Sequence, residues 1–506
     1  MMPLRPMAAL TTALTTLVAA TALTIGQEPL PPVVLPGAGL PAIDRGLREW
    51  DAPHAPGGAR TAIRRADEPD PEMLRASIIV KFADEATSEA RGRMLAGVRG
   101  TRLPAQAWAD FDVVTLPPGE DPVRAAAALS GRPGVEYAQP RYRVHKLFVP
   151  NDPLYSRQWN FPAIDMERAW DINQGASSKV VVAVLDTGAA FRTTTLRLTG
   201  QAIFPFPPLG QVDVPFAAAP ELGGADRFVA PRDFIWNTDL PLDMDGHGTH
   251  ITGTIGQVTN NGSGVAGLAF NVRLMPIKVL DGDWDAIFNS PFIATDDLIA
   301  RAIRYAADNG AHVLNLSVGR EGPPAPAVRA AVEYAVGRGV FVAVAAGNEF
   351  EIGNAPNRYA DFAADIAGMV AVGATGRSNQ RAFYSSTGPH VELVATGGDM
   401  RRGGATAGIL QQTYDSDVVD RFFLSRFGPP RFDVFVYDYY QGSSMAAPHV
   451  AGFAALLMQQ GITRPAVIEA LMKATATDLG KPGRDDEYGY GLINPRAALR
   501  GMGLLK

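Results

Sequence analysis

Beyond Asn151 two hydrophobic periods take turns along the chain. Residues 180–185, Val313–Leu316 and 340–344 are continuous apolar runs, the pattern of strands buried on both faces. Between them Leu298, Ile299, Ala302, Ile303 and Ala306 recur at helical spacing after Thr295, which reads as an N-cap, with Gly310 as the stop. Val328, Val332 and Val336 mark another helix. Such repeated strand–helix units predict an α/β fold with a doubly wound, mostly parallel sheet that offers its ligand sites at the carboxyl ends of the strands. Upstream, residues 78–82 and 112–116 read as strands, Asp121 caps a short helix with Pro122 at its first position, and residues 135–138 close a small α+β unit.

The beginning of the chain is patterned differently. Arg5, a threonine-diluted apolar stretch from Met7 to Ile25 and the small-residue pattern Ala20-Thr21-Ala22 read as a secretory signal over residues 1–22. No later run is long enough to span a bilayer, so export without stable membrane insertion is expected, to the outside or the periplasm. Residues 23–76, with nine prolines between Gln27 and Pro71, read as a linker; residues 77–148 form the small unit and 149–506 the larger domain.

Composition narrows the chemistry. A 46% hydrophobic and 19% charged chain of 506 residues can bury a large core. The net charge of −6 argues against nucleic acid as a partner. With no cysteine, thiolate nucleophiles, disulfides and Cys–zinc sites are excluded.

Three segments stand where a sheet of this kind places catalysis. Asp186-Thr187-Gly188 ends a buried run, so its carboxylate can orient a histidine. Asp245-Gly246-His247-Gly248-Thr249-His250 sets an imidazole at the start of a helix that continues through Gly253 and Gly256. Gly442-Ser443-Ser444-Met445-Ala446-Ala447-Pro448-His449 puts Ser444 at a helix opening, where free N–H groups favour developing negative charge.

Asp186 in D-T-G, His247 in H-G-T-H and Ser444 in G-S-S-M-A-A-P-H-V, in that order, resemble the subtilisin-like serine peptidases from Asn151 to about Leu499, including Tyr488-Gly489-Tyr490-Gly491. The resemblance implies a secreted serine endopeptidase acting on protein or peptide substrates through an acyl-enzyme on Ser444, with His247 as base and Asp186 as its orienting partner. It implies that Asn348, in Ala345-Ala346-Gly347-Asn348, donates to the oxyanion. It further implies that Ser317, Val318 and Gly319 form an edge pairing with extended substrate, and that Glu349 near the same pocket favours basic side chains. Residues 77–148 resemble the family's inhibitory pro-domain, a ferredoxin-like unit, so a self-processing precursor cut between about His145 and Asn151 is expected. No cofactor is required for such chemistry. A structural calcium ion is implied on Asp152, Val258, Asn261, Ser263 and Val265, although the family's aspartate nine residues after the catalytic one is here Thr195. Ser443 stands where threonine is usual, Ala395-Thr396-Gly397 where A-P-G is frequent, and insertions over 189–232 and 398–439 depart from the pattern.

Other readings compete less well. G-x-S-x-G is broken by Ala446 and the chain order is wrong for an α/β-hydrolase. His247 and His250 lack the glutamate of a zinc helix; His250, His449, His312, His54, His145 and His390 read as structural. A catalytically silent peptide binder, its cleft occluded by the insertions, is the alternative function.

Overall fold

The computed structural model describes residues 73–105, 107–142, 148–201, 208–419 and 428–500. The expected signal and most of the linker lie outside these residues, as do His54, His145 and part of the segment expected to be processed.

The small unit runs strand, helix, two strands, helix, strand: β1 (Met73–Phe82), Ser88–Gly97, β2 (Thr101–Arg102), β3 (Asp112–Thr115), Pro122–Leu129 and β4 (Val135–Tyr142), in the sheet order β2-β3-β1-β4. That is the ferredoxin-like arrangement. Ile78, Val80, Val114, Leu95 and Leu129 fill its core. Asp121 caps its helix as expected, accepting the Val123 N–H. The helix Ser88–Gly97 escaped the sequence reading, because it buries one side chain, Leu95, and carries almost no apolar stripe. Strand β1 begins at Met73, upstream of the run expected at 78–82.

The larger domain is built on a seven-stranded sheet in the order β13-β12-β11-β10-β5-β9-β8, every pairing parallel. Its strands are β5 (Val181–Asp186), β8 (Arg232–Asp233), β9 (Arg273–Lys278), β10 (Val313–Leu316), β11 (Phe341–Ala345), β12 (Met369–Thr375) and β13 (Leu393–Thr396). Alternate residues of each strand enter opposite cores. Val182, Val184 and Phe341 face the helices His247–Gly256, Ser443–Gln459 and Pro465–Thr475, while Ala183, Leu185 and Leu314 face Asp296–Asp308 and Pro326–Gly337. Burial on both faces explains the unbroken apolar runs. Thr295 sits at the expected N-cap position, but its hydroxyl donates to Asp297 Oδ1 instead of capping the backbone. From β5 the chain crosses to the edge strand β8, returns to β9 beside β5, and then passes to β10 on the other side and outward to β13, so the direction changes about β5 and β10. Ligand crevices of open α/β sheets form at such a reversal.

Both insertions make hairpins where they are described: β6 (Thr194–Gly200) with β7 (Gly210–Phe216), and β14 (Ile409–Tyr414) with β15 (Phe435–Tyr440). The second packs on the helix of His247: Thr413 Oγ1 donates to the Gly246 carbonyl at 3.0 Å, and the ring of Tyr440 stacks on His250 at 4.4 Å. Among the described residues no helix is long and apolar enough to cross a membrane.

Candidate active site

Asp186 is the last residue of β5 and is fully buried. Its Oδ1 accepts the Thr187 N–H at 2.8 Å and lies 2.6 Å from His247 Nδ1. A carboxylate there holds the proton on Nδ1 and leaves Nε2 as the ring's free lone pair. Burial alone would depress the imidazolium, but the charge and hydrogen bond of Asp186, aided by Asp245 and Asp243, more than offset it and push its pKa up to about 9.

Two glycines make the approach of Asp186 and His247 possible. A Cβ on Gly248 would stand 2.2 Å from the Gly188 carbonyl, so the first turn of the histidine helix rests directly on the D-T-G turn. Asp243, missed by the sequence reading, locks the contact: its buried carboxylate accepts from Thr187 Oγ1, the Asp245, Gly246 and Thr249 N–H groups, and Thr249 Oγ1. Its signal was a carboxylate just ahead of a helix start. Lys278 was also missed, although one lysine ending an otherwise apolar run is unusual. It is fully buried, pairs with Asp285 at 2.9 Å and donates to the Thr187 carbonyl at 2.8 Å, beside Asp186.

Ser444 is the second residue of the helix Ser443–Gln459, in the turn whose backbone N–H groups have no partner within the helix. Its carbonyl accepts the Ser317 Oγ proton at 2.9 Å, and its own Oγ is directed to the Ser317 carbonyl at 3.4 Å rather than bonded to the imidazole. Catalytic hydrogen bonds are often loose until substrate binds. Asn348 follows β11, and its Oδ1 accepts from both the N–H and the hydroxyl of Ser443, each at 2.9 Å. That fixes the amide so that Nδ2, a donor, is the free end. Serine thus supplies the hydroxyl that threonine would.

A cleft of about 270 Å³ is lined by Ser317, Val318, Gly319, Asn348, Glu349 and Ser444, among others, so the structure brings together the predicted substrate residues with the predicted nucleophile. Glu349 Oε2 accepts the Asn348 N–H at 2.5 Å and the Ser386 hydroxyl at 3.1 Å. No described residue of either insertion lines the cleft. Asn357, also missed, ties its wall together by donating to the Val318 and Ala345 carbonyls.

Among the described residues, His250 and His449 are held in the interior by hydrogen bonds. His250 Nε2 bonds the Ile409 carbonyl, and burial drives its pKa down to about 3. His449 lies between Met445 O and Asn160 Nδ2. At the expected calcium loop, Asp152 Oδ2 accepts the Asn260 N–H and Asn261 Oδ1 the Ser263 N–H, while Val265 is fully buried and Val258 donates its N–H to the Glu221 carbonyl. Asp152 Oδ1 and Glu221 Oε2 are buried without a hydrogen-bond partner among the described residues, so the site has unused oxygen ligands of the kind a hard cation takes.

A parallel sheet carrying Asp186, His247 and Ser444 at its carboxyl edge, with an oriented amide beside the serine, defines a serine endopeptidase of subtilisin-like fold. The chain belongs to the subtilase family, whose profile matches residues 177–491, and the fervidolysin N-terminal prodomain profile matches residues 61–141. It is 30% identical over 429 residues to the thermophilic serine proteinase of Bacillus sp. strain AK1, covering 83% of this chain and 86% of that one. It is 30% identical over 362 residues to thermitase of Thermoactinomyces vulgaris, covering 70% and 100%. Among solved structures, a protease of Pseudoalteromonas arctica superposes with a TM-score of 0.53 at 28% identity, over 70% of this chain and 99% of that one. The protein is a subtilisin-like serine protease with a prodomain, and its family needs no cofactor for catalysis.

Proposed function

We propose that the protein is exported as a self-processing precursor and hydrolyses extended protein segments through Asp186, His247 and Ser444. Ser444 Oγ attacks the scissile carbonyl carbon while His247 Nε2 takes its proton. Asn348 Nδ2 and the Ser444 N–H receive the oxyanion. The C–N bond then breaks, the amine leaves with the proton from Nε2, and water enters by the same base to release the acyl group from Ser444. Ser317, Val318 and Gly319 pair with the substrate backbone, and Glu349 favours a basic side chain before the cut. Residues 77–148 act as the intramolecular inhibitor, released by cleavage before Asn151. A structural calcium ion on the Asp152 loop belongs to this reading, as does export under the signal at 1–22.

The observation that carries the proposal is the 2.6 Å contact of His247 Nδ1 with a buried carboxylate that fixes the base tautomer. The open cleft, lined by no described residue of either insertion, weighs against the silent-binder alternative. A fluorophosphonate probe on the processed chain tests it: covalent labelling at Ser444, lost in Ser444→Ala, is expected. An unlabelled chain that still binds peptide in the cleft would overturn catalysis in favour of binding.

A further inference from the structure

The mechanism leaves a buried cation unused. Lys278, the last residue of β9, is fully buried, and so is Asp285, whose Oδ2 takes its ammonium at 2.9 Å. Strand register sets this lysine in a row of charged strand ends, with Asp233 of β8 paired on one side and Asp186 of β5 on the other. A dehydrated ion pair is weak evidence of stability, because apolar side chains of similar volume often serve as well or better. A lysine stripped of water opposite the triad carboxylate therefore asks for a geometric reason.

That reason lies in the turn after Asp186. As the chain runs on from β9, the Asp186 carbonyl accepts the Val279 and Leu280 N–H groups at 2.8 and 3.2 Å. The next carbonyl, that of Thr187, accepts no backbone N–H among the described residues; Lys278 Nζ donates to it at 2.8 Å. Thr187 is where the scaffold of Asp186 and His247 converges. Its N–H donates to Asp186 Oδ1, and its Oγ1 donates to Asp243 and accepts the Gly248 N–H of the histidine helix, each at 2.9 Å. The ammonium is itself held in place, since Asp285 Oδ2 also accepts the Gly282 N–H at 3.0 Å and Asp285 Oδ1 accepts Trp236 Nε1 at 2.6 Å.

We propose that Lys278 is a positioning residue for the triad: clamped by Asp285, its ammonium fixes the Thr187 carbonyl and with it the turn that presents Asp186 Oδ1 to His247 Nδ1. The assignment rests on the triad reading above and adds to it a side chain that touches neither substrate nor the reacting atoms. Three further acids surround the pair. Asp243 and Asp245 act on His247, and Asp233 faces the same ammonium, its pKa pushed up to about 7 by burial against the pull of Lys278.

The test is the double variant Lys278→Met/Asp285→Leu of the processed enzyme. It removes one charge of each sign and leaves Asp233 free to take up a proton, so no buried charge is stranded, yet the Thr187 carbonyl loses its donor. At a melting temperature close to the parent's, kcat should fall on the order of 100-fold, the loss that a shift of about 1 Å from a remote substitution produces, with KM little changed. The acid limb of kcat/KM should move to lower pH, because a loosened Asp186 favours the imidazolium less while Asp243 and Asp245 stay in place. With Ser444→Ala added to parent and variant alike, the low-field proton resonance of His247 Nδ1 should shift and exchange faster with water in the double variant. A pair that only fills space moves none of these. Should the first pair not fold, Lys278→Leu/Asp285→Ala is read in the same way. Full kcat and an unmoved acid limb in a folded double variant would overturn the positioning role and leave the triad reading standing. A parent without Ser444-dependent turnover would sink the two together.

Discussion

At the scale of single residues, His247 is tuned by its neighbours. Asp186 favours the imidazolium, so the base form is gained only as pH rises through a pKa near 9, above the ordinary imidazole value. The acid limb of kcat/KM against pH should therefore lie on the alkaline side of neutrality. Asp186→Asn should move that limb down and cut kcat by on the order of 10^4, the loss known when a triad aspartate is replaced by its amide. A limb unmoved by the substitution would detach Asp186 from the base. Asn348→Ala should lower kcat roughly 100- to 1,000-fold, the range known for a subtilisin oxyanion donor, with KM little changed. Steady-state kinetics on a peptide substrate separate the two constants. The triad candidates could be singled out from short local motifs, and Asn348 from the family resemblance that those motifs carry. Asp243 and Lys278 were not, since each acts through Thr187, 56 and 91 residues away in the chain. Only folding brings such pairs together.

Among the elements, β9 and β5 run in register with Lys278 opposite Asp186, and the Lys278–Asp285 pair is wholly out of water. Removing one partner of a buried pair strands the other charge and typically costs about 3–5 kcal/mol, whereas replacing both by apolar groups is often close to neutral. Lys278→Met in the Ser444→Ala background should fall in that range by urea denaturation, and adding Asp285→Leu should recover much of the loss. Equal destabilisation of the single and double variants would show that the lysine matters only for packing. The central strands and their covering helices were readable from hydrophobic period alone, because two-sided burial leaves an unmistakable run. The hairpins β6–β7 and β14–β15 were seen only as insertions: β6 and β7 alternate half-buried and exposed residues, β14 is buried throughout but carries Gln411, Gln412 and Thr413 where an apolar run would show, and the docking of β14–β15 on the histidine helix is a tertiary fact.

For the molecule as a whole, the prodomain and the peptidase domain lie in one chain, and the proposed maturation by its own serine makes a simple prediction. Full-length Ser444→Ala, freed of other proteases, should stay in one piece after signal removal, while the parent yields a new N-terminus between about residues 145 and 151. Electrophoresis with N-terminal sequencing decides, and an uncatalysed variant that matures on schedule would assign the cut to another protease. The ferredoxin-like plan of the small unit was legible in outline, with its faintly patterned first helix absent, because a helix burying one leucine has no stripe to read.

The way Ser443 grips Asn348 has a consequence for how this protein would age. Both bonds that seat the side chain end on its oxygen, and an aspartate would satisfy them equally. Spontaneous loss of ammonia at this one position would therefore keep both bonds while turning the donor proposed to face the oxyanion into a repelling negative charge. Old stocks would look intact by every structural assay and yet be inert.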